Sequence, residues 1–333
     1  MKINSLASFG PNKALIKYIY NVKLGPKDVV VKIKYRTLSI SDILFIDNFW
    51  GNSKYPIIPS EDIIGEVVSC GKKVSLLKKG DFIGIGYQVY SCGNCYYCRS
   101  ALEQFCQEQK LLRFYEPGGL SDFMVVNEKF AFKLKKKLIN AESTPLMCAG
   151  LTTYSAIVNN NVKKGFKVGV VGIGRLGHLA VKFLKAMNCE VYAFTHSLEK
   201  KGLLNKQNIN VVNINNNKEI GKFNRFFDFI LYTSTNNPNW ETYIQLLKPE
   251  GKLCVVGLPS ENISFPAWML ADFSRKQVVG NYIGSRKDMI EMLEFASQNN
   301  IHADTKVFSF KEANHVLDMI RQKKILFSAV IEG

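Results

Sequence analysis

Apolar and polar positions follow two styles along the chain, and the change comes after Lys137. From Asp28 to Tyr35 the pattern reads as a β-strand, and short β-rich runs broken by Gly and Pro continue to about Val126 with few helical stripes. Helix-like periodicity then covers Leu146 to Val158. From Lys167 apolar runs alternate with amphipathic stretches, the pattern of strands and covering helices. Strands are expected from Val168 to Val171, Glu190 to Phe194, Phe227 to Tyr232, Lys252 to Val256 and Gln277 to Ile283. Runs such as Phe229-Ile230-Leu231 and Cys254-Val255-Val256 would be buried on both faces, as a parallel sheet requires. From Arg286 to Gly333 the chain reads as a helix, a strand around Val307-Phe308, a second helix and a terminal strand around Ala329-Val330-Ile331.

A chain of 333 residues suits two domains, each large enough for its own core. No stretch has the apolar length of a membrane span or the core of a secretion signal, so the expected location is the cytoplasm. The formal charge of +16 could serve nucleic acid, an anionic membrane or an acidic ligand. Its distribution argues otherwise. Lysines are scattered, and the densest group, Lys133, Lys135, Lys136 and Lys137, lacks the interleaved aromatics that stack on bases. We expect no nucleic-acid and no membrane partner, and a basic surface that favours a phosphate-bearing cofactor locally.

Gly172-Ile173-Gly174-Arg175-Leu176-Gly177 follows an apolar strand and opens a helix, the context that gives a GxGxxG run meaning. Leu176, Leu179, Ala180, Phe183, Leu184 and Met187 form one apolar face of that helix. Gly172, Gly174 and Gly177 would let a dinucleotide pyrophosphate reach the helix N-terminal amides. A Gly-rich turn without a ligand is the plainer alternative. At the end of the next strand, where an NAD enzyme carries a carboxylate, the chain reads Thr195-His196-Ser197-Leu198-Glu199-Lys200-Lys201. Hydroxyls at Thr195 and Ser197 with cations at Lys200 and Lys201 would accept a 2′-phosphate, which points to NADP(H). A solvated loop without cofactor preference is the alternative.

Of eight cysteines, Cys92, Cys95, Cys98 and Cys106 form C-x2-C-x2-C-x7-C, and the others are dispersed. Four soft ligands at this spacing suit one structural Zn2+ with no open position, in a reducing compartment. Iron–sulfur ligation and four unligated thiols are the competing readings.

Together these motifs resemble the zinc-dependent alcohol dehydrogenases of the medium-chain dehydrogenase/reductase superfamily, especially the branch of cinnamyl alcohol dehydrogenases and NADP-dependent aldehyde reductases. The likeness spans nearly the whole chain. Trp50-Gly51-Asn52-Ser53-Lys54-Tyr55-Pro56 is similar to that branch's WGxxxYP segment, and Cys148-Ala149-Gly150-Leu151-Thr152 to its CAGxT segment. Gly80-Asp81, Asn239-Trp240, Val256-Gly257 and Gly284-Ser285-Arg286 add further matches. The resemblance implies an α/β architecture: a GroES-like β domain over 1–151 with a zinc lobe near 88–110, a doubly wound parallel (Rossmann) domain over 152–285, and 286–333 completing the first. It also implies that Thr152, Thr233, Gly257, Asn281 and Ile283 line the nicotinamide half of the cofactor, that Trp50 walls the substrate site, and that a homodimer is possible.

The departures are as informative. Where the family places Cys, His and Cys on a catalytic zinc, this chain has Ser39, Glu61 in Ser60-Glu61-Asp62, and Cys148. None of His178, His196, His302 and His315 matches a ligand position. A serine hydroxyl is a poor substitute for a thiolate, and Glu61 offers a harder oxygen donor. The expected outcome is a site without zinc, in which Ser41 matches the family's proton-relay hydroxyl. Asp62 or Glu61 could then act as an acid, if burial and mutual repulsion raise it. The alternatives are a weak metal site from Glu61, Asp62 and Cys148, or plain structural roles: paired carboxylates on a turn, Trp50 as a packed ring, Cys148 as a small hydrophobe. The substrate would be a small carbonyl, alcohol or enone. A zinc alcohol dehydrogenase with an atypical site and a non-catalytic NADP-binding protein are the rival functions.

Overall fold

The computed structural model describes residues 1–271 and 273–333. Among them the chain forms two compact units, Met1–Cys148 with Ser285–Gly333, and Ala149–Gly284. The first boundary falls at Cys148/Ala149 rather than after Leu151, and the second at Gly284/Ser285.

In the second unit six strands, counted among the described residues, lie parallel in the order Asn210–Val212, Glu190–Phe194, Lys167–Val171, Phe227–Tyr232, Leu247–Val255, Gln277–Gly280. By sequence this is order 3-2-1-4-5-6, the doubly wound dinucleotide-binding topology. Val168, Val170, Val171, Phe229, Ile230 and Leu231 are buried, which is why these runs are apolar on both faces. The helix Arg175–Ala186 buries Leu179, Ala180, Phe183 and Leu184, four of the six positions on its expected face. Leu176 and Met187 at the two ends are half-buried.

Several elements differ from expectation for local reasons. The expected helix from Leu146 begins at Ala149, because a 3₁₀ segment, Ala141–Met147, holds Pro145, which lacks the N–H a longer helix needs. The strand expected to reach Ile283 stops at Gly280, although Asn281 N still donates to Val255 O at 3.1 Å. The strand Leu247–Val255 starts earlier than expected, because Pro249-Glu250-Gly251 reads as a turn in sequence. Asn210–Val212 was not anticipated, three residues being too short for a periodic signal.

The first unit is built on a mainly antiparallel sheet ordered Thr305–Ser309, Ser328–Glu332, Asp28–Leu38, Ile63–Cys70, Phe82–Ile85, Phe132–Lys133. The terminal strand pairs antiparallel with Asp28–Leu38, Ala329 opposite Leu38, so the last residues complete the sheet begun near the start. Leu38, Ile43, Ile46, Ile57, Leu120, Val316, Leu317 and Ile331 share one core beneath it. The opening residues form an unanticipated hairpin, Lys2–Ala7 with Ile16–Asn21. A short helix, Ile40–Ile46, was also missed. No helix among the described residues is long and apolar enough to cross a membrane.

Candidate active site

The helix Ile40–Ile46 starts at Ser39, whose extended backbone turns the chain out of the strand before it. Asp42 in the first turn reaches back and accepts from Ser39 N at 2.8 Å and Ser39 Oγ at 3.1 Å. Such a reciprocal contact satisfies donors that a helix start leaves open. Asp42 also accepts from Ser60 N at 2.7 Å, joining this helix to the loop that carries Glu61 and Asp62. Ser60 itself has φ 84, a left-handed conformation that suits glycine.

A third segment enters the same cluster. Arg113 Nη1 donates to Asp42 Oδ1 at 2.8 Å and to Ser41 Oγ at 3.1 Å, and its Nη2 donates to Glu61 Oε2. Ser41 Oγ donates to Glu61 Oε1 at 3.0 Å and lies 2.8 Å from Ser39 Oγ. The Arg113 side chain is 1% exposed, with its guanidinium carbon 4.7 Å from the Phe45 ring centre and 5.5 Å from that of Tyr87. Burial alone would push the guanidinium toward its neutral form. Glu61 and then Asp42 outweigh that effect, so its pKa is raised and the charge is locked in. Ser41 is the half-buried member of the group; Ser39, Asp42, Glu61 and Arg113 are buried.

Glu61 and Asp62 serve different partners. Asp62 accepts from the Thr37 hydroxyl and, at 2.7 Å, from Cys148 N, so it clamps the strand Asp28–Leu38 to the end of the unit's first long segment. The expectation of acidity through mutual repulsion must therefore contend with a guanidinium bonded directly to Glu61. Trp50 is partly exposed and sets its ring edge-on against Phe45, with centroids 5.0 Å apart. His178 is buried with Nδ1 3.0 Å from Gly174 O, and His302 Nδ1 is 3.0 Å from Ser143 Oγ.

Cys92, Cys95, Cys98 and Cys106 bring their sulfurs within 4.8 Å of one another. Among the described residues this is the one set of three or more Cys, His, Asp or Glu so gathered; Glu61, Asp62 and Cys148 form no such set. Cys92 and Cys98 Sγ are 3.9 Å apart, close to the ~3.8 Å that Zn–S bonds of ~2.3 Å give in a tetrahedron. Backbone N–H groups of Asn94 and Cys95 pull the Cys92 thiol down to about 7, while burial pushes Cys106 up to about 12. The donor set fits a structural zinc or another thiophilic metal.

The second unit presents the cofactor candidates around the Gly-rich turn. Gly172 has φ 87, and a Cβ on Gly177 would lie 2.0 Å from Gly172 O, so both positions require glycine. A Cβ on Gly174 would meet nothing within 4 Å, leaving open space over the helix start where a pyrophosphate could approach. Thr195 Oγ1 accepts from Ser197 N at 3.2 Å, and Ser197 Oγ accepts from Lys200 N at 3.3 Å, capping the helix Leu198–Lys206. Burial lowers the Lys200 pKa, with Glu199 opposing. Thr233 hydrogen-bonds to Val171 O and Gly172 O, and Asn281 Nδ2 donates to Thr152 O at 3.3 Å and Ser155 Oγ at 3.0 Å. Ile283 is buried, and Gly257 packs where a Cβ would strike Ser234 O.

Sequence reasoning gave no role to Arg113 or to Asp42, the last residue of Ser39-Ile40-Ser41-Asp42. The signal for Asp42 was the Ser39-x-x-Asp42 spacing of a capping box. Arg113 gave a weaker one, a lone cation in Leu111-Leu112-Arg113-Phe114.

A model of the alcohol dehydrogenase GroES-like domain matches residues 25–136, and one of zinc-binding dehydrogenases matches 176–298. A probable mannitol dehydrogenase of Fragaria ananassa is 35% identical, covering 94% of this chain and 90% of that protein. Cinnamyl alcohol dehydrogenase 8 of Arabidopsis thaliana is 33% identical, covering 92% and 88%. Among solved structures, the cinnamyl alcohol dehydrogenase of Helicobacter pylori complexed with NADP(H) is similar with a TM-score of 0.92 at 29% identity, covering 100% of this chain and 98% of that one.

Proposed function

The chain belongs to the zinc-type alcohol dehydrogenase family of the medium-chain dehydrogenases/reductases, and from that premise we propose that it is an NADPH-dependent reductase of aldehydes or conjugated double bonds that works without a catalytic zinc. As an oxidoreductase of the alcohol dehydrogenase type it moves hydride between a nicotinamide and a small molecule. The finer reading rests on one observation: Glu61, at the family's histidine position, gives its Oε2 to the Arg113 guanidinium.

That contact does not suit a Lewis-acid ion. Both Glu61 oxygens already accept hydrogen bonds, one from Arg113 and one from Ser41, and Ser39 brings a hydroxyl that bonds to Asp42. A divalent cation here would face a fixed positive charge out of water's reach. In zinc enzymes the metal stabilises the developing alkoxide. A reductase lacking it favours substrates whose own conjugation carries that charge, or carbonyls that are protonated as hydride arrives.

Bound NADPH supplies the hydride. The Ser41 hydroxyl would pass its proton to the substrate and take one from water on its half-buried side, with Arg113 Nη1 donating to Oγ so that no alkoxide builds up. Trp50, packed on Phe45, offers an aromatic face suited to a conjugated substrate. The preference for NADPH over NADH is supported by Thr195, Ser197 and Lys200 with no carboxylate at the strand end, and by the NADP(H) held in the Helicobacter pylori relative. Cys92, Cys95, Cys98 and Cys106 would hold the structural zinc, which would brace the lobe and take no part in the chemistry.

The test is NADPH oxidation against aldehydes, enones and quinones, with zinc measured on the same sample. Turnover with about one zinc per chain is the expected result. About two zincs per chain would make the protein a conventional alcohol dehydrogenase with an atypical site. Tight NADPH binding without turnover of any class would make it a nucleotide-binding protein.

A further inference from the structure

We propose that Arg113 is a built-in cation that takes the place of a metal ion at this centre, and that its guanidinium is what bars divalent metal from the Ser39, Glu61 and Cys148 positions. The inference rests on the zinc-free reading above and names the residue responsible for it.

The guanidinium links the two segments that would have to supply ligands. One is the helix start that carries Ser39 and Asp42, the other the turn that carries Ser60 and Glu61. It bonds to a carboxylate on each, and its side chain is 1% exposed. A divalent ion within bonding reach of Glu61 would therefore sit a few ångströms from a full positive charge with no water to screen it. Arginine cannot escape that conflict by losing a proton, as a lysine could. Glu61 and Asp42 reinforce this, raising its pKa against the effect of burial. Nor is the group loosely held, since the Phe45 and Tyr87 rings flank the guanidinium carbon at 4.7 and 5.5 Å. Arg113 reaches the site from a backbone conformation with φ 67, uncommon for a side chain of this size. By the same contacts Arg113 is a positioning residue: Nη1 holds Ser41 Oγ while Nη2 holds the carboxylate to which Ser41 donates.

Zinc titration of the full chain separates the possibilities. Three forms are compared: the parent, Ser39→Cys with Glu61→His, and the same pair with Arg113→Met. The parent and the pair that keeps Arg113 are expected to hold about one zinc, and the form with Arg113→Met about two, its second site at least about 100-fold tighter. Cobalt(II), added as a spectroscopic probe, should show a second set of tetrahedral d–d bands in that form alone.

If the pair that keeps Arg113 takes its second zinc as tightly as the form without it, the guanidinium is not the barrier and the proposal falls. A parent chain with about two zincs overturns the zinc-free reading itself, whatever Arg113 does. Should the methionine form fail to fold, Arg113→Gln in the same background decides the question: about two zincs per chain are expected, and about one would overturn the proposal.

Discussion

Arg113 Nη1 lies 2.8 Å from Asp42 Oδ1, with the two side chains 1% and 0% exposed. The pair ties the loop that follows the cysteine lobe to the start of the helix Ile40–Ile46, and Glu61 closes the triad from a third segment. Charges this deeply placed are costly when unpaired and hold three segments in one arrangement when paired.

Removing the cation should therefore be severe. Arg113→Met leaves Asp42 and Glu61 buried without their shared partner, and we expect a loss of about 3–5 kcal/mol in unfolding free energy. Urea denaturation measures it. A loss under about 1 kcal/mol would mean that water reaches the triad and screens it.

Ser60 offers a change in the opposite direction. At φ 84 its Cβ is strained, and Ser60→Gly relieves that strain at the expense of a more flexible unfolded chain. The balance should favour the variant by about 0.5–1 kcal/mol, read as a higher urea midpoint at unchanged slope. Destabilisation would show that the Ser60 hydroxyl matters more than its backbone.

Ser41→Ala removes the hydroxyl that bridges Arg113 and Glu61. We expect kcat for aldehyde or enone reduction to fall about 100-fold, while the KM for NADPH stays within about twofold. Full activity in the variant would assign proton delivery to another group.

Lys200 should govern cofactor choice. Lys200→Ala is expected to weaken NADPH binding about tenfold and to leave NADH binding unchanged. Burial lowers the Lys200 pKa in the free protein, and a 2′-phosphate favours its charged form. NADPH affinity should then decline as pH rises, starting below the usual lysine range, and NADH affinity should not follow. Fluorescence titration of both cofactors from pH 7 to about 10 reads the difference.

What could be read from the chain depended on how local each feature is. The cysteine set is compact in sequence because one short lobe carries all four sulfurs, so spacing alone was enough to group Cys92, Cys95, Cys98 and Cys106. The Gly172–Gly177 turn was legible for the same reason: strand, turn and helix are consecutive, and each glycine answers a local steric demand. The strands Glu190–Phe194 and Phe227–Tyr232 matched expectation because most of their positions are buried, as in Phe229-Ile230-Leu231, which leaves short apolar runs that can be read locally. The N-terminal hairpin was not legible. Its strand Ile16–Asn21 alternates exposed and half-buried positions, too weak a pattern to register as a strand.

The sequence by itself determined the Gly-rich turn, the cysteine lobe, the parallel sheet and the side chains that stand at Ser39 and Glu61. Each of these is written in residues that are neighbours along the chain, or in the identity of a single side chain. Only the tertiary structure decided what stands among those positions. Arg113 is 71 residues from Asp42 and 52 from Glu61. No periodicity links such distant positions, and the sheet and the loops between its strands bring the three charges together because a buried guanidinium is stable only where carboxylates surround it.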